Sequence, residues 1–266
     1  MWLTAFCFSL TIASASWQDN PVQQYDTLPS LGRHLVVQGG IVRGDTTRKQ
    51  LALVFTGHEF ADGGHYIAKV LKQHKVPASF FFTGAFYRNK AFRPLIQRLK
   101  KAGHYLGAHS DAHLLYCDWT KRDSLLVTQS TFTADLLKNY EAMQAFHIGK
   151  QDALFFLPPY EWYNDTIAKW VNQLGIYLIN FTPGTRSNAD YTVPGEKHYV
   201  SSKTIFDSII KYEETRPNGL NGFLLLLHIG THPKRTDKFY YQLPSLVSFL
   251  KQKGYDFVKV DDLLRE

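Results

Sequence analysis

The stretch Gly222-Phe223-Leu224-Leu225-Leu226-Leu227-His228-Ile229-Gly230 decides the fold. Its apolar residues run on without polar alternation, which is how a strand covered on both faces reads, and strands of that kind belong to parallel sheets buried under crossover helices. The same grammar extends outward from it: LALVFTG (51–57), ASFFFTG (78–84), YLGAHS (105–110), ALFFLPP (153–159), IYLINFT (176–182) and YDFVKV (255–260). Amphipathic segments separate these runs, the longest reading as helix from Ser124 to about Phe146, and Gly103, Gly175 and Gly254 stand where helices should stop. Seven strands alternating with helices predict an α/β fold, either a barrel or a doubly wound sheet. In such folds side chains converge beyond the carboxyl ends of the strands. The candidates for chemistry therefore lie at 56–62, 109–113, 157–160, 182–191 and His228.

Composition supports a core and narrows the partners. Of 266 residues, 44% are apolar and 20% charged, which excludes a disordered chain, a collagen-like repeat and a coiled coil. The net charge of +7 is scattered rather than gathered in Lys and Arg runs, so no nucleic-acid partner is expected; the charge reads instead as attraction to anionic surfaces. Two cysteines, Cys7 and Cys117, give no disulfide framework, and Cys117 reads as packing. Residues 2–13, WLTAFCFSLTIA, followed by Ala13-Ser14-Ala15, read as a signal peptide over 1–15. An N-terminal arm over 16–40 and one domain over 41–266 follow, with a secreted or periplasmic location and no further segment of transmembrane length.

His109 and His113 are four residues apart, a spacing that one helical turn would bring onto one face as a clip for a divalent ion. The alternative is two solvated helix histidines. His228 ends its apolar run and should emerge at the barrel mouth, where the alternative is a satisfied core histidine.

These residues carry a resemblance. His109-Ser110-x-x-His113 after the third strand, Pro158-Pro159-Tyr160 after the fourth, Leu225-Leu226-Leu227-His228 late in the chain, and the spacing from Phe55 to Ala78-Ser79-Phe80-Phe81 resemble the polysaccharide deacetylase family with the NodB homology domain, carbohydrate esterase family 4, over about residues 41–264. The resemblance implies a distorted seven-stranded (β/α) barrel that removes acetyl groups from acetylated glycans with one divalent metal ion, of the Zn class with Ni, Co or Mn as alternatives. It also implies that His109 and His113 hold the ion and that His228 is the acid. The backbone N–H of Tyr160 would face the developing oxyanion, and Asp190-Tyr191 would orient His228.

The chain departs from the family pattern in its first motif. Where the family reads Thr-Phe-Asp-Asp-Gly, this chain reads Val54-Phe55-Thr56-Gly57-His58, so Thr56 and Gly57 stand at the positions of the base and the metal-binding carboxylate. Leu157 stands where the family has an Arg paired with the base. The following loop, His58-Glu59-Phe60-Ala61-Asp62-Gly63-Gly64, offers substitutes: Glu59 as third metal ligand, with His58 and Asp62 as rivals, and Asp62 as base, with a helix N-cap as its ordinary alternative. Trp119, Trp162, Tyr163, Tyr240 and Tyr241 read as rings for sugar faces or as ordinary core and rim packing. The expected function is an exported metal-dependent deacetylase; the alternative is a non-catalytic glycan-binding protein on the same barrel.

Overall fold

A computed structural model describes residues 30–31 and 33–265. The expected leader and most of the expected arm lie outside them. The described end of that arm is regular: β1 (Ser30–Leu31), β2 (His34–Val37) and β3 (Gly40–Arg43) form an antiparallel ribbon. The seven strands expected from the apolar runs follow as β4 (Gln50–Gly57), β5 (Ser79–Phe82), β6 (Tyr105–Ala108), β7 (Phe155–Phe156), β8 (Tyr177–Leu178), β9 (Phe223–His228) and β10 (Asp256–Phe257). The sheet order is β1-β2-β3-β9-β4-β5-β6-β7-β8, with β10 alongside the start of β4, and every pairing among β4 to β10 is parallel.

Residues 223–227 and 51–55 are each at most 1% exposed, as a strand sandwiched between helices and barrel interior requires. Each such Leu or Phe contributes about 1.5–3 kcal/mol relative to exposure. The covering helices are α1 (Gly64–His74), α2 (Gly84–Arg88), α3 (Arg93–Lys101), α4 (Gln129–Gln144), α5 (Asp165–Gln173), α6 (Ser202–Thr215), α7 (Leu243–Gln252) and α8 (Val260–Leu263). Gly103, Gly175 and Gly254 take positive φ of 80°, 68° and 85° just beyond α3, α5 and α7, the left-handed stops their positions suggested. Helix α4 begins later than the apolar pattern implied, because the Thr128 hydroxyl accepts from Thr131 N–H and caps it there.

Strands β7 and β8 are much shorter than their apolar runs, for two reasons. Pro158 and Pro159 have no N–H to continue the ladder of β7. After β8 the chain leaves the ladder to close the curl: Ile179 bridges Ile41, Asn180 N–H donates to Ile41 C=O at 2.9 Å, and Thr182 N–H donates to Leu224 C=O at 3.0 Å. The sheet thus bends round until β8 meets β3 and β9. This distorted barrel brings the ends of β4, β6, β7 and β9 to one mouth.

Candidate functional site

His109 and His113 follow β6, and no helix holds them together. The turn is irregular, with Ser110 and His113 at φ of 69° and 57°, and a buried carboxylate on α4 builds it. Asp135 accepts from Ser110 Oγ at 2.6 Å, Asp111 N at 3.1 Å, Ala112 N at 3.0 Å and Tyr116 OH at 3.4 Å. Asn139, one turn on, accepts from His109 N–H at 2.8 Å. The helical pairing expected from the spacing is therefore replaced by a loop wrapped around two polar side chains of the neighbouring helix. Sequence reading passed over both. The signal was present, since Asp135 and Asn139 share the buried stripe of α4 with Phe132, Leu136, Tyr140 and Met143, where a polar residue needs a partner.

The loop brings the His109 and His113 rings together edge to face, with centroids 5.1 Å apart. His109 Nδ1 lies 2.7 Å from Leu157 C=O, which takes its N–H and leaves Nε2 as the free lone pair. Leu157, at the family's Arg position, thus orients a histidine through its backbone. Burial, opposed by that hydrogen bond, pushes the His109 pKa down to about 3, and burial beside the other imidazoles pushes His113 down as well. Both rings are neutral. Replacing Asp135 with Ala strips the turn of its acceptor, and the expected loss is about 2–4 kcal/mol in denaturant unfolding, with the pair no longer preformed.

Of the three side chains expected to compete beside the pair, the structure brings up His58. Its ring stacks on His113 at 4.6 Å and 8°, and its Nδ1 lies 3.2 Å from the Thr83 hydroxyl. Glu59 is exposed and lines a cleft of about 530 Å³, together with Phe60, Asp62, Phe92 and Lys238. Asp62 does not cap α1, and its carboxylate, expected as base, is engaged elsewhere. Its carboxylate accepts from Thr231 N at 2.8 Å and Tyr240 OH at 3.0 Å and pairs with Lys238 Nζ at 2.9 Å, while Gly63 caps α1 without a side-chain bond. Those three partners beyond β9 hold Asp62 away from the mouth, whereas the charge of exposed Glu59 is still felt by His58 and Tyr160. Among the described residues, no three His, Cys, Asp or Glu side chains form a group that could hold a metal ion. The pair still fits such an ion as two neutral imidazole donors, the type Zn²⁺ accepts, without a carboxylate to offset its charge.

The first-motif positions are closed. Thr56 is buried beside His228 in the β4–β9 register, with its hydroxyl unpartnered. A Cβ on Gly57 would stand 2.8 Å from Ile229 Cγ2, 2.9 Å from Phe82 Cδ1 and 3.0 Å from Phe86 Cε2.

On the opposite wall, His228 Nδ1 lies 2.6 Å from Asp190 Oδ1, and its backbone N–H donates to Asp190 Oδ2 at 2.9 Å. Burial works to lower the His228 pKa, but the charge and hydrogen bond of Asp190, with Glu161 adding, raise it above the ordinary histidine value. Tyr191 leans over the ring at 5.1 Å. The Nε2 proton is the one left for the cleft.

After β7, Tyr160 and Glu161 take successive left-handed conformations, φ 58° and 54°. Each is a sparsely populated state worth about 1–3 kcal/mol of strain. Four of the seven described non-glycine residues with positive φ, Ser110, His113, Tyr160 and Glu161, sit at this mouth. The amide N–H groups of Glu161 and Trp162 bond back to Pro158 and Pro159, whereas the Tyr160 N–H has no acceptor among the described residues. Tyr160, 42% exposed, packs edge-on to His113 at 4.4 Å and to Trp119 at 5.6 Å, and Trp119 stacks on Trp162 at 5.7 Å. Tyr163 takes the core-packing alternative, with its hydroxyl donating to Val37 C=O. Tyr240 is buried over Asp62 and Tyr241 is exposed; both belong to the outer side of the loop. Cys117 is buried and free.

The polysaccharide deacetylase family model matches residues 43–179. The peptidoglycan-N-acetylmuramic acid deacetylase PdaA of Bacillus subtilis (strain 168) is 28% identical over 232 residues, covering 84% of this chain and 74% of that protein. The solved structure of Bacillus subtilis PdaA, described as a family 4 carbohydrate esterase, superposes with a TM-score of 0.65 at 24% identity, covering 85% of each chain. A family 4 pseudoenzyme from Bacillus anthracis superposes equally well, TM-score 0.65 at 19% identity, covering 87% of this chain and 70% of that one.

Proposed function

The chain belongs to the polysaccharide deacetylase family, a family of hydrolases, and on that premise we propose that it is an exported, metal-assisted deacetylase of an acetylated glycan, peptidoglycan-like amino sugars being the first class to try. The observation that carries this reading is the His228–Asp190 dyad facing two neutral imidazoles across one mouth. His228, kept protonated by Asp190, gives its Nε2 proton to the leaving nitrogen or oxygen. The unbonded Tyr160 N–H, fixed by two left-handed residues, donates to the oxygen on which charge develops. A divalent ion held by His109 and His113 would polarise the acetyl carbonyl. Trp119, half-buried and backed by Trp162, which itself packs against the Arg122 guanidinium at 4.3 Å, offers a flat ring for a sugar face. No helix among the described residues is long and apolar enough to cross a membrane.

The test is acetate release from N-acetylglucosamine oligomers, muramic-acid-containing peptidoglycan fragments and acetylated xylan, with bound metal counted in parallel. Wild type is expected to release acetate and to bind Zn²⁺ loosely; His113→Ala should lose the ion, and Glu59→Ala should keep it. Retention of metal by His113→Ala removes the pair as the seat of the ion. The filled space beside Gly57 favours a second reading, a glycan-binding protein without turnover, and glycan binding with no acetate release from any of these substrates would establish it.

A further inference from the structure

Glu161 is a buried carboxyl to which no described residue donates a hydrogen bond. The residue is 8% exposed, and neither side-chain oxygen accepts a hydrogen bond from a described residue, yet neither is among the atoms sealed from solvent. Its backbone is fixed at both ends, N–H to Pro158 C=O at 3.1 Å and C=O to Asn180 Nδ2 at 2.8 Å. The carboxyl lies near enough to His228, Asp190 and Tyr191 for each to feel its charge. Burial raises its pKa to about 7, with His228 pulling it down and Asp190 pushing it up. Burying a carboxyl with no donor is unfavourable, and here a strained loop holds it in place. A desolvated carboxyl that titrates near neutrality suits proton abstraction. Of the other candidates, Thr56 carries a hydroxyl, Asp62 is held by three partners, and Glu59, although its charge reaches Tyr160, is exposed rather than desolvated.

We propose that Glu161 is the general base of this site, in place of the carboxylate lost at Thr56, and that it returns the proton it accepts to His228. The proposal rests on the hydrolytic reading above. Glu161 takes one proton from water as the water oxygen bonds to the acetyl carbon. The acetyl C–N or C–O bond then breaks as His228 Nε2 protonates the departing atom. Acetic acid leaves with the second water proton, and transfer from Glu161 to neutral His228 restores both groups.

The experiment compares wild type, Glu161→Gln and Glu161→Asp in steady-state acetate release from pH 5 to 9, and follows the Glu161 carboxyl by carbon-13 NMR titration. Glu161→Gln has no hydrogen bond to lose, so its melting temperature should match wild type. Its kcat should fall about 10²–10⁴-fold with little change in KM and with loss of the acid limb of the pH profile. Glu161→Asp should restore part of the rate and the acid limb. An unchanged kcat and acid limb in Glu161→Gln, or a carboxyl titrating in the ordinary carboxylate range, overturns the base while leaving the deacetylase reading intact. A wild-type chain that releases no acetate overturns that reading, and the base with it.

Discussion

Replacing His228 with Ala lowers kcat for acetate release about 10²–10⁴-fold, because the leaving atom then departs without a proton. Asp190→Asn is the more informative companion. Asp190 holds the imidazolium against burial, through its charge and a 2.6 Å hydrogen bond. Without that charge, burial prevails and the His228 pKa falls. The sign follows directly: the acid must be protonated to act, so activity is present below the His228 pKa and lost as pH rises through it. Asp190→Asn therefore moves the alkaline limb of the pH–rate profile to lower pH and reduces the rate most at the alkaline end. An alkaline limb identical to that of wild type would remove Asp190 from this role.

The second large effect concerns stability. Restoring the family's carboxylate by Gly57→Asp is expected to destabilise the chain by roughly 3 kcal/mol or more, from overpacking of about 1–3 kcal/mol plus a buried, unpaired carboxylate. Gly57 has an ordinary backbone conformation, so space and not φ demands the glycine here. Its Cβ would press on Ile229, Phe82 and Phe86, all fully buried, with the two Phe rings stacked at 4.1 Å. The loss of the carboxylate is thus accompanied by apolar packing where its side chain would start. Denaturant unfolding measures the effect, and a Gly57→Asp chain as stable as wild type would show that these side chains yield freely.

The same contrast separates what was legible in the residues from what was not. The His-Ser-x-x-His spacing identified a pair of neighbouring imidazoles, but not how they meet: Asp135, on another element, replaces the expected helical turn with a wrapped loop. Asp135 was visible only as a polar residue on an apolar stripe. Glu161 gave no periodic signal, because its burial comes from the fold of the turn after Pro158 and Pro159 and from the wall formed by Asp190 and His228.

By itself the sequence determined the parallel sheet, the helix stops and the mouth at which His109, His113, Tyr160 and His228 gather. Those depend on burial along one strand and on glycine or proline at fixed places, which are local. Only the tertiary structure decided which side chains of residues 58–62 join them. The direction of that loop is set by bonds from Asp62 to Thr231, Lys238 and Tyr240, more than 160 residues away, and by the stacking of His58 on His113. Contacts at that separation leave no periodicity in the chain, so an expectation that put Glu59 first and His58 and Asp62 behind it could not foresee that His58 stacks on His113.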